Sequence, residues 1–498
     1  MILTARLSFS VSHVKSNCND ILAICRSIFT PSLSYLRSVS LTILVTMLRR
    51  RYAAEEAVKR MMDIDSTDSG SDNDNDSDES DHPDGDVLFD VVDHIDEMDS
   101  VNISVSSDLS TSSVTVESGA SGDSLKSRSG VLWHLTSQGS STSGRFSHQN
   151  ILRRQPGVKT FVRARVSTVS DAWEEMIDSS IIEKVVTYTK ANRSGRTPEI
   201  TSDVLKKFIA LQYARGLYGR HIPRDFLWSK QYGIQIFKDT MPRSKFRFLS
   251  KVLRFDQKSS RSQRSSDRFT HIREIYERFT SNCATKYTPE SSLTVDEQLL
   301  PLKSRCKWIT FMPQKPDKYG VKFWTLVEVS SKYIVAQIPY LGKDPSGSVT
   351  RDLATKVVLE LVEKSGIGPG YNISGDNFFT SVNLAQKLYS KGISYVGTLR
   401  SNRVGVCDRM RKKKNLYQSE FFFCTNPKVL VASYQCKKDK NVLLMSSMHN
   451  QPVTGTDNKQ KPEIISYYNA NKCEVDVVDQ MTRLHQNTLS PLANGYLV

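Results

Sequence analysis

The chain lacks the cysteine patterns that would staple or metallate a small domain. Its 498 residues hold eight cysteines, at 18, 25, 283, 306, 407, 424, 436 and 473, and no two form C-x-x-C. No histidine pair stands near them at ligand spacing, so neither a disulfide framework nor a zinc module is expected. Reduced thiols in a cytosolic or nuclear setting are the default. Apolar residues are also scarce, at 38% of the chain. The shortage is local: residues 61–100 contain 16 Asp or Glu and no Lys or Arg. The apolar patch "VSLTILVTML" at 39–48 has ten residues, far short of the ~20 that span a bilayer. No membrane partner is expected.

What is present divides by charge. Residues 1–150 carry 12 basic and 22 acidic residues, whereas 151–498 carries 56 basic and 31 acidic. A folded region with that excess favours a polyanionic partner, most often nucleic acid. The acidic run "DSTDSGSDNDNDSDESDHPDGD" at 65–86 has too few apolar residues to offset the entropy of ordering, and Ser-rich sequence continues to about 147. Residues 1–147 therefore read as a disordered acidic, Ser-rich tail. Within it, 1–46 has two readings, an organelle transit segment or an upstream extension ahead of Met47.

Ordered elements are expected from about 170. "SDAWEEMIDSSIIEKVVTYTKAN" predicts one helix capped by Ser170, and "TSDVLKKFIALQYARGL" a second with Leu205, Phe208, Ile209 and Leu211 on a stripe. "MPRSKFRFLSKVLRFDQKSSRSQRSSDRF" (241–269) interleaves nine Lys or Arg with apolar residues. A helix with an apolar stripe and a basic back suits phosphate contact as well as it suits plain solvation. The candidate phosphate contacts there are Arg243, Lys245, Arg247, Lys251 and Arg254. From 290 the pattern turns to strands: "SSLTVDEQLLPL", a hairpin of "VKFWTLVEV" and "YIVAQIPY", a helix ending at Gly366, then strand, helix and strand through "ISYVGTLR". This is an α/β layer, with helices on a mixed sheet.

Four acids stand out against this frame. Asp296 interrupts an apolar strand, where an unpaired carboxylate is costly. Asp376 closes a strand, and Asp476 and Asp479 lie three apart in "NKCEVDVVDQM", on one face if helical. A lone D-x-x-D is most often a solvated helix edge. Acids at a strand centre, a strand end and a helix can instead converge on one sheet edge. They would then need cations, and hard oxygen donors suit Mg²⁺ or Mn²⁺. Two ions there could clamp the attacking and leaving oxygens of a phosphodiester. Lys315 and Lys318 in "PQKPDKYG" are further candidate phosphate contacts. His449, Trp308, Trp324 and Tyr319 read as packing residues.

The stretches "SSLTVDEQLLPLKSRCKWITFMPQKPDKYGVKFW", "SGDNFFTS", "NVLLMSSMHN" and "KPEIISYYNANKCEVDVVDQM", in this order, resemble the piggyBac family of DDE-type transposases and its domesticated relatives. The resemblance covers roughly 145–483. It implies a ribonuclease H-like core with an inserted subdomain and a helical N-terminal DNA-binding region. Mapped onto this chain, 148–289 is the helical dimerisation and DNA-binding region and 290–400 the first part of the core. Residues 401–465 are the insertion and 466–498 the truncated C-terminal part of the core. The catalytic and metal-holding acids implied are Asp296, Asp376, Asp476 and Asp479, with two Mg²⁺ or Mn²⁺ ions. The implied partners are double-stranded DNA, as transposon ends and TTAA targets, and a second copy in a homodimer. The implied location is the nucleus. Cys473 and Glu474 stand where the family has two glycines. "TRLHQNTLSPLANGYLV" lacks the family's Arg-Trp-Pro helix, and no Cys/His-rich module follows. A truncated copy is one expectation, and a domesticated, non-catalytic nuclear DNA-binding protein is the alternative function. A carbohydrate-active carboxylate pair fits poorly with so basic a surface.

Overall fold

The computed structural model describes residues 124–136, 151–191, 198–218, 222–264, 266–302, 306, 308–342 and 352–484. The expectations for 1–123 and for the segment after 484 lie outside them. In chain order the strands are β1 Ser124–Lys126, β2 Leu132–Thr136, β3 Gly157–Val158, β4 Tyr287–Thr288, β5 Ser292–Pro301, β6 Thr310–Phe311 and β7 Tyr319–Glu328. They continue as β8 Ile334–Pro339, β9 Asn372–Gly375, β10 Ser394–Thr398, β11 Ser419–Cys424, β12 Val429–Lys437 and β13 Lys440–Ser446. The fold is mixed α/β. The described residues fall into two compact units, one built on Leu152–Ile367 with the helix Glu474–Leu484, the other on Gly368–Cys473 with β1 and β2.

The first unit begins helical. Val169–Met176, Ser179–Ala191, Ser202–Tyr218, Gln235–Thr240 and Arg243–Val252 surround a core of Ile182, Leu205, Leu211, Leu227, Phe237, Phe246 and Leu249. Phe246 stacks against Phe208 and Trp228 with ring centroids 4.9 Å apart in each pair. That buried stripe turns Arg243, Arg247 and Lys251 outward. Two local expectations need correction. The predicted single helix over 170–192 is two, because Asp178 starts a new one by accepting the Ile181 amide at 3.1 Å. Its first cap is Thr168, not Ser170: Thr168 Oγ1 accepts from the Asp171 amide while Asp171 accepts from the Thr168 amide, a capping box.

The unit's sheet is antiparallel. β7 pairs with β5, β6 and β8, placing Asp296 opposite Thr325 and Thr325 opposite Gln337. Trp308 and Trp324 are buried in it. The second residue of β7 is a forced glycine: a Cβ at Gly320 would lie 2.2 Å from the Leu300 carbonyl oxygen. The helix Leu353–Ser365 ends where Gly366 adopts φ 63°, a left-handed cap that glycine takes without strain.

In the second unit the strand order is β1-β2-β11-β12-β13-β10-β9. Only β9 and β10 are parallel, joined by the helix Val382–Tyr389 that Ser381 caps. The core gathers Phe421, Leu430, Leu444, Ile464 and Tyr468. Part of the expected tail is ordered here. Trp133 is fully buried, donates its indole N–H to the Gly405 carbonyl at 2.8 Å, and anchors β2 beside β11. One buried aromatic on a strand outweighs the polar composition around it. Among the described residues no helix is long and apolar enough to cross a membrane.

Two measurements check this account. Gly320→Ala should destabilise the first unit by about 1–3 kcal/mol, the usual cost of forcing extra volume into packed backbone, read as a lowered thermal midpoint. The Ser167 amide and hydroxyl and the Thr168 amide hold the Asp171 carboxyl at about 2, below its ordinary 3.8. Its contribution to stability is therefore complete above 3.8 and lost as pH falls through about 2. A carboxyl titration midpoint near the ordinary value would refute the capping box.

Candidate active site

The site is built on β5, the tip between β6 and β7, and the helix Glu474–Leu484. Val475 and Val478 fix the helix by packing on Val327 and Ile334. Residues three and four apart share a helix face, so Asp476, Asp479 and Arg483 line one side. The tip, residues 312–318, meets that side with opposite charges. Lys315 Nζ donates to Asp476 Oδ1 at 2.8 Å and to Asp479 Oδ2 at 2.9 Å. Arg483 Nε lies 3.0 Å from Asp317 Oδ2. The Asp479 side chain is 4% exposed and that of Asp476 57%, so the pair has a buried and a wet member.

Burial raises the Asp479 carboxyl above its ordinary value, against the opposing pull of Lys315 and the Leu299 amide. Lys315 is pushed toward neutrality by burial, but Asp476 and Asp479 outweigh this and hold it above the lysine range. Both directions describe an ionised lysine serving as the counter-charge of a partly desolvated acid pair.

Asp296 projects from the middle of β5, half-buried, and its Oδ1 accepts the Glu297 amide at 2.7 Å. On the same face two and more residues along lie Gln298, Thr325 and Gln337. Gln337 Nε2 donates to Gln298 Oε1 at 2.6 Å and to Thr325 Oγ1 at 3.2 Å. Gln298 also reaches Thr482 of the helix at 3.5 Å.

Asp376 belongs to the second unit, just past β9. Its Oδ1 accepts the Phe378 amide at 3.0 Å, and Thr380 donates its hydroxyl to the Asp376 carbonyl at 2.8 Å. Arg400 donates to Asn377 Oδ1 at 2.8 Å and Arg403 to the Asn377 carbonyl at 3.1 Å, pinning the turn.

Of the four acids, the structure brings Asp476 and Asp479 together on one cation. Among the described residues no group of three or more His, Cys, Asp or Glu stands where it could hold a metal ion. The donor chemistry of the pair nevertheless fits a hard cation: two carboxylates already grip an ammonium at hydrogen-bond distance. Lys315, read from the sequence as a phosphate contact, is bound to these acids in the structure. Lys318 is exposed at the tip in a left-handed conformation, φ 55°. Arg243, Arg247 and Lys251 are exposed, while Lys245 and Arg254 are half-buried. His449 is buried with Nδ1 2.7 Å from Ser446 Oγ, and Tyr319 stacks on Phe311 at 4.8 Å. Sequence reading missed Asp317, Arg483, Gln298, Arg400 and Arg403. Only Arg483 carried a signal, as a charge four residues beyond Asp479.

Residues 168–496 match the family described as transposase IS4. With a mixed α/β fold and acids on a strand and its docked helix, that places the chain among transposase-family proteins. More narrowly, it belongs to the transposase IS4 family in its piggyBac type. It is similar to human PiggyBac transposable element-derived protein 3, 24% identical over 333 residues, 63% of this chain and 55% of that protein. It is similar to the human chimeric ERCC6-PGBD3 protein at the same identity over 31% of that protein. The chain thus spans about half or less of the curated relatives it matches. Its fold resembles a piggyBac transposase solved in a synaptic complex with hairpin DNA, with TM-score 0.61 and 29% identity, covering 67% of this chain and 71% of that one.

Removing the lysine should expose the cost of the buried acid. Lys315→Met should destabilise the protein by about 3 kcal/mol, the scale of leaving one buried charge unpaired. Lys315→Met with Asp479→Asn should lose less than the sum of the single changes. Additive losses in that double-mutant cycle would show that the two side chains are not coupled.

Proposed function

We propose that the chain is a DDE-type DNA transposase that cuts and joins DNA strands with divalent metal. The observation that carries this reading is the contact of Gln298 Nε2 on β5 with Thr482 Oγ1 on the helix Glu474–Leu484, at 3.5 Å. It ties the strand bearing Asp296 to the helix bearing the acid pair, in a chain whose family is that of transposases.

Asp476 and Asp479 would hold a Mg²⁺ or Mn²⁺ ion, and Asp296 and Asp376 would complete a two-ion set in a ribonuclease H-like core. A bound divalent ion neutralises the carboxylates and stabilises charge developing on the attacking and leaving oxygens of a phosphodiester. The chain's own residues supply the rest. Val475 and Val478 seat the helix, and Gln298 of β5 reaches Thr482 on it. The Gln298–Thr325–Gln337 ladder stiffens the strand around Asp296. The exposed Arg243, Arg247, Lys251 and Lys318, with Lys245 and Arg254 behind them, would bind DNA phosphates. The solved relative holds DNA in its complex, which supports double-stranded DNA as substrate. Transposon ends, TTAA targets, action as a homodimer and a nuclear location belong to the same proposal. A second reading, a domesticated DNA-binding protein without catalysis, is favoured by the curated relative named as transposable element-derived.

Two tests separate these readings. Purified full chain with Mg²⁺ should nick duplexes carrying the terminal repeats that flank its own genomic copy. Asp296→Asn, Asp376→Asn and Asp476→Asn should each reduce nicking by roughly 100-fold or more, the scale of losing one electrostatic stabiliser of a transition state. A wild type as inert as the variants defeats the enzymatic reading. DNA affinity should also fall by roughly 10³-fold or more between about 50 and 200 mM salt. Affinity indifferent to salt would remove DNA binding from both readings.

A further inference from the structure

The tip that carries Lys315 is a preformed piece. Met312 donates its amide to the Lys318 carbonyl at 2.7 Å, Lys315 to Met312 at 3.1 Å and Lys318 to Lys315 at 3.0 Å. Side-chain ion pairs link it to the helix Glu474–Leu484, Lys315 with Asp476 and Asp479, and Asp317 with Arg483. Those pairs place an ammonium where the two carboxylates would take a metal ion. An ammonium and a divalent ion cannot both sit within bonding distance of the same oxygens, because like charges at that separation repel strongly.

Charge accounting points the same way. With Lys315 in place, Asp476 and Asp479 together carry one net negative charge. With Lys315 withdrawn they carry two, which one divalent ion neutralises. Lysine suits the exchange, being a compact point charge on a flexible stem. Lys318 stands exposed three residues further along the tip, so a DNA backbone reaching the tip would meet two ammonium groups.

We propose that Lys315 is an internal counter-cation for Asp476 and Asp479, and that divalent-metal loading requires its transfer to a DNA phosphate. This rests on the metal-dependent reading above and adds a residue that couples substrate to metal. Coupling of this kind is reciprocal: DNA tightens metal binding to the degree that metal tightens DNA binding.

The experiment measures Mn²⁺ binding to the full chain by electron paramagnetic resonance, with and without a short duplex of arbitrary sequence. Duplex DNA should tighten Mn²⁺ binding to the wild type by at least about five-fold, the lower end of typical coupling between sites. Lys315→Met should bind Mn²⁺ that tightly without DNA, and DNA should add little. Asp479→Asn in the Lys315→Met background should lose the gain, placing the ion at the pair. Wild-type affinity unchanged by DNA overturns the proposal without recourse to any variant. So does Lys315→Met affinity equal to or weaker than the wild type in a protein that still melts cooperatively. No Mn²⁺ binding by any form, with or without DNA, overturns the metal-dependent reading and the counter-cation with it. Binding that ignores both DNA and Lys315 overturns the counter-cation alone.

Discussion

One ammonium between two carboxylates organises the candidate site. Without Lys315 or another cation in its place, Asp479 would be a buried charge without a counter-ion. With it, the helix presents acids to the tip, the tip presents its cation to the acids, and Asp317 and Arg483 repeat the exchange with signs reversed. The net worth of such contacts is set by burial. The wet Asp476 arm adds little in water, and the dry Asp479 arm carries the dependence.

Contacts from the strands reinforce this arrangement. Gln298 on β5, the strand that holds Asp296, reaches Thr482 on the acid-bearing helix at 3.5 Å, so the helix is registered against β5. Gly320 serves the same end. Its missing side chain lets β7 approach the Leu300 carbonyl, which sets the start of β7 and hence the tip that ends one residue before it. A glycine needed for close approach and a lysine needed for charge sit five positions apart in "KPDKYG".

Much of the fold was legible in the sequence because it rests on local signals. Apolar spacing marked Ser202–Tyr218, the strand pattern marked the β7–β8 hairpin, and Gly366 marked a helix end. The break at 177–178 was not legible, since Asp178 reads equally well as a helix residue until its carboxyl is seen capping Ile181. Trp133 was hidden by its polar surroundings. The acids themselves were legible as acids on a strand, a strand end and a helix. Their partners were not: Lys315 lies 161 and 164 residues from the acids it binds, and spacing carries no information across such a separation.

Glu474 shows how this local electrostatics absorbs a departure from the family's sequence. In place of a glycine, a third acid stands two residues before Asp476, which from sequence adds negative charge beside the pair. Residues two apart do not share a helix face, and in the structure Glu474 is buried and ion-paired with Lys332 at the β7–β8 turn. Lys332 reaches it from a left-handed conformation, φ 63°. The extra charge is thus neutralised on the far side of the helix by a cation from a different loop. Among the described residues Lys315 is the cation that bonds Asp476 and Asp479 directly, and their net charge depends on where that side chain goes.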